Sequence, residues 1–215
     1  MPRVRTTPRL NLIMARFTFS LAVALLLSGC ATISSKSPAL GEGDTSGFDP
    51  KGTTVEVVYD LTARAPDAET SYAITPNTPP QKVAQIRSER AEEIYTLLKS
   101  YGFQPALGGK ADFRLRVIEG GETTQPDSLL ILLLSSFSML TIPHTYTGTS
   151  GYGYELWAGE SKVHGIETRT EKKKVFGVIG LPLLAINATG AIDRKARIDS
   201  HKSVLSSWIE QGAFE

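Results

Sequence analysis

The sequence predicts an α+β fold: a single small domain, a mainly antiparallel sheet with flanking helices, set behind a signal peptide and a flexible tether. Three observations carry that expectation. Two stretches, 55–60 and 112–119, alternate apolar and polar residues with the period of a half-buried strand. An amphipathic helical pattern lies between them, which places a helix against one face of a sheet. The chain has 215 residues, 41% of them hydrophobic, enough for one ordinary core with little room for two.

The amino-terminal segment stands apart. Arg3, Arg5, Arg9 and Arg16 all precede an apolar core at 17–27, and no acidic residue lies before position 30. That core fits the length of a signal-peptide h-region and is too short to cross a bilayer as a helix. The alternative is a short buried helix ending in a free thiol. Leu27-Ser28-Gly29-Cys30 resembles the lipobox of bacterial lipoproteins. The resemblance implies that residues 1–29 are cut away and that Cys30 becomes the first mature residue. Its thiol is then diacylated, and in Gram-negative cells its amino group is usually acylated too, so palmitate is an expected adduct. Ala31, where an Asp would retain the protein in the inner membrane, implies passage to the cell outer membrane, facing the periplasm. Two or more acyl chains give stable membrane residence where one does not. Met14 is as plausible a start as Met1, because Met14-Ala15-Arg16 already supplies a basic n-region.

Setting the four leading arginines aside leaves 19 Lys and Arg against 22 Asp and Glu, a net charge of −3. A slightly acidic body offers no electrostatic reason to expect nucleic acid as a partner. A single cysteine excludes a disulfide scaffold and a multi-cysteine zinc site. Once Cys30 is lipidated, the exported body carries no thiol for an oxidising compartment to attack.

Residues 30–50, beginning with the lipidated cysteine, mix Ser, Gly, Pro and acidic residues without apolar period. They read as a flexible linker, with an ordered first strand as the alternative, and the periplasmic domain is expected at 51–215. A short strand is expected at 71–75. Thr78-Pro79-Pro80-Gln81 reads as a helix start, with Thr78 capping, Pro79 at N1 and Gln81 closing a capping box. Val83, Ile86, Ala91, Ile94, Leu97 or Leu98, and Tyr101 share one face of that helix, and Gly102 is its C-cap. Arg114 and Arg116 alternate with Phe113, Leu115 and Val117; they read as a solvated sheet face or as a binding face.

Residues 129–142 are almost wholly apolar and end at Pro143. A helix of that length spans roughly 21 Å at 1.5 Å per residue, short of a bilayer's hydrocarbon core. Three readings stay open: a buried core helix, a helix resting in the membrane, and a partner-binding surface. The run at 175–186, containing Pro182, carries the same ambiguity. Between the two, Tyr152, Tyr154 and Leu156 share one strand face and Trp157 the other, with a hairpin turn at 158–161 and a returning strand at 162–168. Lys172, Lys173 and Lys174 read as a loop cluster, residues 187–190 as a turn, and 199–211 as a helix that packs Val204 or Leu205, Trp208 and Ile209 inward and stops at Gly212.

Thr141-Ile142-Pro143, the tyrosine-bearing strand, the hairpin and Leu181-Pro182-Leu183 together resemble small uncharacterised outer-membrane lipoproteins of Gram-negative bacteria, over roughly 110–211. The resemblance implies a sheet with flanking helices and brings no catalytic residues.

The chemistry is sparse. His144, His164 and His201 fall on three separate predicted elements, without metal-ligand spacing. The stretch 147–153 lacks the spacing and lysine of a phosphate loop, and a hydrolase pair of Ser150 with His164 can be drawn only in the sense that any small protein permits one. The reading is of a chain that is not an enzyme and holds no cofactor or metal. Its expected role is a lipid-anchored envelope protein with a structural or adaptor function, binding a membrane complex or envelope component. The alternative is a periplasmic carrier of a lipid or small apolar ligand, with 129–142 and 175–186 lining a groove. The candidate interaction surface comprises Tyr146, Tyr152, Tyr154, Trp157, Leu133 and Phe137, since Tyr and Trp join a large apolar area to a polar handle.

Overall fold

The computed structural model describes residues 29–36, 40, 45, 47–61, 70–71, 78–106, 110–138, 142–177 and 191–215. The signal-peptide segment, most of the 175–186 run and the turn at 187–190 lie outside the described residues. Among the described residues, seven strands form one sheet: β1 (Gly29–Lys36), β2 (Thr54–Leu61), β3 (Thr70–Ser71), β4 (Gln104–Pro105), β5 (Phe113–Pro126), β6 (His144–Ala158) and β7 (Ser161–Gly177). Their order is β1-β7-β6-β5-β2-β4, with β3 pairing β5 off that path. Of these pairs, β2 with β5 and β2 with β4 run parallel; the others are antiparallel. Three helices among the described residues accompany the sheet: α1 (Pro80–Ser100), α2 (Leu129–Phe137) and α3 (Ala191–Glu210). The chain is thus the single α+β domain that its patterning predicts.

Helix α1 begins one residue later than its sequence signature. Pro79 has an extended ψ of 137° and no side-chain cap forms. A residue that precedes proline is pushed out of the helical region, so Pro80 rather than Pro79 takes N1. At the other end the expected glycine stop is present. Gly102 has φ +90°, and the amides of Gly102 and Phe103 bond back to the carbonyls of Lys99 (3.0 Å) and Leu98 (3.1 Å), a Schellman closure. A Cβ at Gly102 would also meet Pro50 Cγ at 3.1 Å.

Helices α1 and α3 cover one face of the sheet. Val55, Leu115, Val117, Tyr154 and Leu156 from the sheet meet Ile94, Leu98, Val204, Leu205 and Trp208 from the helices, all fully buried. Phe103 packs at a tilt against Phe48 (5.4 Å) and Phe214 (4.7 Å), and Phe214 meets Phe113 edge-on, which ties both ends of the described domain to the same core. Helix α3 starts eight residues before its sequence expectation of 199. Arg197, Ser200 and His201 lie on its buried face, so the apolar period that would reveal the helix is broken by polar residues.

Among the described residues, no element packs over the opposite sheet face. Arg114 pairs with Glu56 (2.6 Å); Arg116 pairs with Asp60 (2.6 Å) and Glu155 (3.5 Å), which also receives Lys162 (2.8 Å). These are cross-strand neighbours on a solvated surface, where each such pair adds little stability.

Where the sequence points to a tether, residues 29–36 form a strand along β7. Cys30 stands opposite Phe176 and Lys36 opposite Glu171, with an irregularity between Thr32 and Ser34. The ladder uses backbone groups that every residue carries, and β7 would otherwise present a long unpaired edge. Beyond this strand, the Leu40 amide donates to Ser203 Oγ on α3 (3.2 Å).

The core and α2 make opposite predictions for the same kind of substitution. Leu156→Ala should lower unfolding free energy by about 2–5 kcal/mol, as cavity-forming changes in packed cores do. Leu133→Ala on α2 should change it by less than about 0.5 kcal/mol. Urea unfolding of the two variants measures both.

Candidate functional site

The covered sheet face divides into an apolar half and a polar half, and a bulge in β5 marks the boundary. The pairing of β5 with β6 shifts between Glu119, opposite Tyr152, and Glu122, opposite Ser150. In an unbroken strand residues three apart face opposite ways. The Gly120-Gly121 bulge brings both carboxylates to the covered face.

Each carboxylate then organises a cluster. Glu119 accepts from Tyr59 Oη (2.8 Å), and Arg90 approaches it at 3.7 Å. Burial, reinforced by the Glu119 charge, pushes the Tyr59 and Tyr152 hydroxyls well above the usual tyrosine range. Beside them His201 Nδ1 bonds Tyr154 Oη (2.8 Å), which also meets Ser200 Oγ (3.2 Å). Three tyrosine rings, Tyr59, Tyr152 and Tyr154, stand edge-on to the His201 ring. Burial and then the nearby Arg197 charge hold that imidazole neutral, down to about 3. Above this layer Arg197 makes a two-pronged contact with Glu93 (2.9 and 3.0 Å). Arg194 shares the same carboxylate at 3.0 Å. These groups floor a cleft of about 680 Å³ between α1 and α3 that includes Glu89, Arg90, Glu92 and Arg194. The second carboxylate, Glu122, pairs with Lys174 and with Lys172 (3.7 Å); Lys172 also reaches Asp193 in the first turn of α3 (3.3 Å). Two of the three lysines expected in a loop are therefore mostly buried in a strand, neutralised by carboxylates whose removal would leave a costly unpaired charge.

The far end of the polar half holds α2. Ser128 caps it weakly, accepting from the Ile131 amide at 3.4 Å. Its single fully buried residue, Ser135, bonds His144 Nδ1 (2.8 Å), and His144 Nε2 bonds Tyr146 Oη (2.8 Å). A neutral imidazole donates from one ring nitrogen and accepts at the other, and hydroxyls satisfy either role; burial moves His144 further toward that neutral form. Phe176 packs on the His144 ring at 5.4 Å. His144 pairs with Phe176 and Phe176 with Cys30 in the ladder, so α2 and Cys30 belong to one end of the sheet.

The six residues expected to form one interaction surface are dispersed. Tyr152 and Tyr154 are each 2% exposed, under the helices; their cross-strand alternation faces the core, which removes them from any surface. Tyr146 is half-buried against His144, and Trp157 lies on the uncovered face with its Nε1 toward Glu155 (3.4 Å). Only Leu133 and Phe137 are exposed. The reading of 129–142 as a buried core helix is overturned over its described residues, because α2 turns every large side chain except the half-buried Leu132 outward. Ser150 and His164 are also apart. They pair with Thr170 and Leu156 respectively, six residues along the hairpin, or about 20 Å. Besides the α1–α3 cleft, cavities of about 390 and 360 Å³ lie along β5, β6 and β7, and one of about 620 Å³ lies beside Phe48 and Phe214. Helix α2 lines none of these four.

The sequence reading missed Glu119 and Arg197, and named His201 only as a histidine without metal-ligand spacing. The Gly120-Gly121 pair after an alternating strand is the one local signal of the bulge; nothing local marks an Arg or His on a helix as inward-facing.

His201 generates a pH prediction. The folded chain holds the ring neutral, whereas an unfolded chain titrates near 6.5. Stability from this group is therefore fully present above about pH 6.5 and falls as pH drops toward 3, by up to about 1.4 kcal/mol per pH unit. Thermal unfolding between about pH 8 and pH 4 should lose stability more steeply in the wild type than in His201→Gln. Equal slopes would place the titrating group elsewhere.

Neither a protein-family model nor a curated protein sequence matches the chain. Among solved structures, a neuraminyllactose-binding hemagglutinin homolog from Helicobacter pylori is similar at 9% identity and a TM-score of 0.40, covering 75% of this chain and 89% of that one. A PelC dodecamer from Paraburkholderia phytofirmans gives 12% identity and a TM-score of 0.31, covering 82% and 97%. Likeness of this size says nothing about activity.

Proposed function

We propose that this chain is a lipid-anchored envelope protein with a structural or adaptor role, held at the periplasmic face of the outer membrane through acylated Cys30. The observation that carries the reading is the run of basic residues, apolar core and Leu27-Ser28-Gly29-Cys30, with Cys30 the only cysteine of the chain. The adaptor part is supported by the sheet face that no described element covers. It spans β2, β5, β6 and β7 with its charges paired across strands, an extent that suits a protein partner in the envelope.

Metabolic labelling with palmitate tests the anchor. Wild-type protein should incorporate the label and sediment with outer membranes, while Cys30→Ala should do neither. Label on both proteins would remove Cys30 as the attachment point.

A further inference from the structure

Helix α2 shows solvent an almost wholly apolar surface, interrupted by Ser136, whose hydroxyl donates back to the Leu132 carbonyl (2.9 Å). Leu129, Leu130, Ile131, Leu133, Leu134 and Phe137 are 43–86% exposed. No charged residue occurs between Ser128 and Pro143. A helix that is hydrophobic all round ordinarily lies inside a protein or in lipid, and a contiguous patch of this kind marks an interaction site. Nine residues extend about 14 Å, too short to span a bilayer; among the described residues no helix is long and apolar enough to cross one.

The sheet decides what covers the patch. Ser135 fastens α2 to His144, and the ladder runs from His144 to Phe176 to Cys30. Cys30 is two strand spacings from His144, or about 10 Å. Acyl chains on Cys30 bring the bilayer surface to this end of the sheet, with no intervening linker because β1 is already paired at that residue. We infer that α2 is a second membrane contact. It lies in the headgroup and upper acyl region beside the lipidated cysteine, so that the domain rests on the bilayer by its α2 end. The inference rests on the acylation of Cys30 proposed above. Lack of charge favours lipid over a folded partner, whose docking surfaces usually combine an apolar centre with a polar rim.

The test uses the processed, acylated full chain in vesicles of phosphatidylethanolamine and phosphatidylglycerol. Acylation consumes the only native thiol, so Leu130→Cys, Phe137→Cys and Glu160→Cys each offer one site for an environment-sensitive maleimide dye. Glu160 sits in the turn at the opposite end of β6 and β7. Dye at positions 130 and 137 should lose most of its emission to a nitroxide on the lipid acyl chains and little to aqueous iodide; dye at 160 should do the reverse. Iodide quenching at 137 equal to that at 160 would overturn the inference. So would protection from both quenchers, which would mean that α2 is covered by a second copy or by the chain's own 178–190 segment. Anisotropy that falls as the labelled fraction rises would single out the second copy. Dye uptake by the wild type would instead show Cys30 unmodified, a failure of the anchor and not of α2.

Discussion

The antiparallel pairing of β6 with β7 is the constraint on which the rest of the structure depends. It runs from His144 opposite Phe176 to Ala158 opposite Ser161. Its alternation sends Ser150, Tyr152, Tyr154 and Leu156 to one face and Thr149, Gly151, Gly153 and Glu155 to the other. A slip of one residue would exchange these sets, burying Glu155 and exposing Leu156. Every other element takes its place from this ribbon: β5 along one edge, β1 along the other, α3 across the covered face, and α2 at the end where the ribbon begins.

The covered face carries polar groups well beyond what packing alone would select. Glu119, Glu122, Lys172, Arg197 and His201 are all largely withdrawn from water, and each charged member has a partner within salt-bridge or hydrogen-bond reach. Ion pairs in such settings add little net stability compared with apolar packing, because desolvation offsets much of their attraction. What they do supply is geometric discrimination. Glu93 is bound by Arg197 and Arg194 at once, which fixes how α1 and α3 sit relative to each other more tightly than a smooth apolar contact would.

The parts of the fold legible in the sequence are those in which local pattern and tertiary environment agree. The strands near 55–60 and 112–119, helix α1 with its Gly102 stop, and the β6–β7 turn at Gly159 all obey simple periodicity and turn chemistry. Illegible were the parts where they conflict. Residues 29–36 look like linker, because an edge strand needs only its backbone. Helix α3 hides its first turns because the side chain they bury beside Ala196 is Arg197. The tyrosines of β6 resemble a binding surface because alternation reveals two faces without saying which is covered. The 129–142 segment leaves burial, membrane and partner undecided, since its few polar residues make no clean stripe to give it a direction. Its orientation is set by a tertiary contact, Ser135 on His144, that no local pattern announces.

The pairing of β1 from Gly29 onward bears on reach. Many surface-attached proteins work at the end of a long leash and sample a wide hemisphere. Here the ladder removes that slack, since the stretch from Cys30 to Lys36, which would otherwise give up to roughly 24 Å of travel, is stitched to β7. Under the anchoring proposed above, the domain would have a fixed stand-off and a fixed tilt. Whatever it engages would then have to arrive in the plane of the membrane, approaching the uncovered sheet from the side.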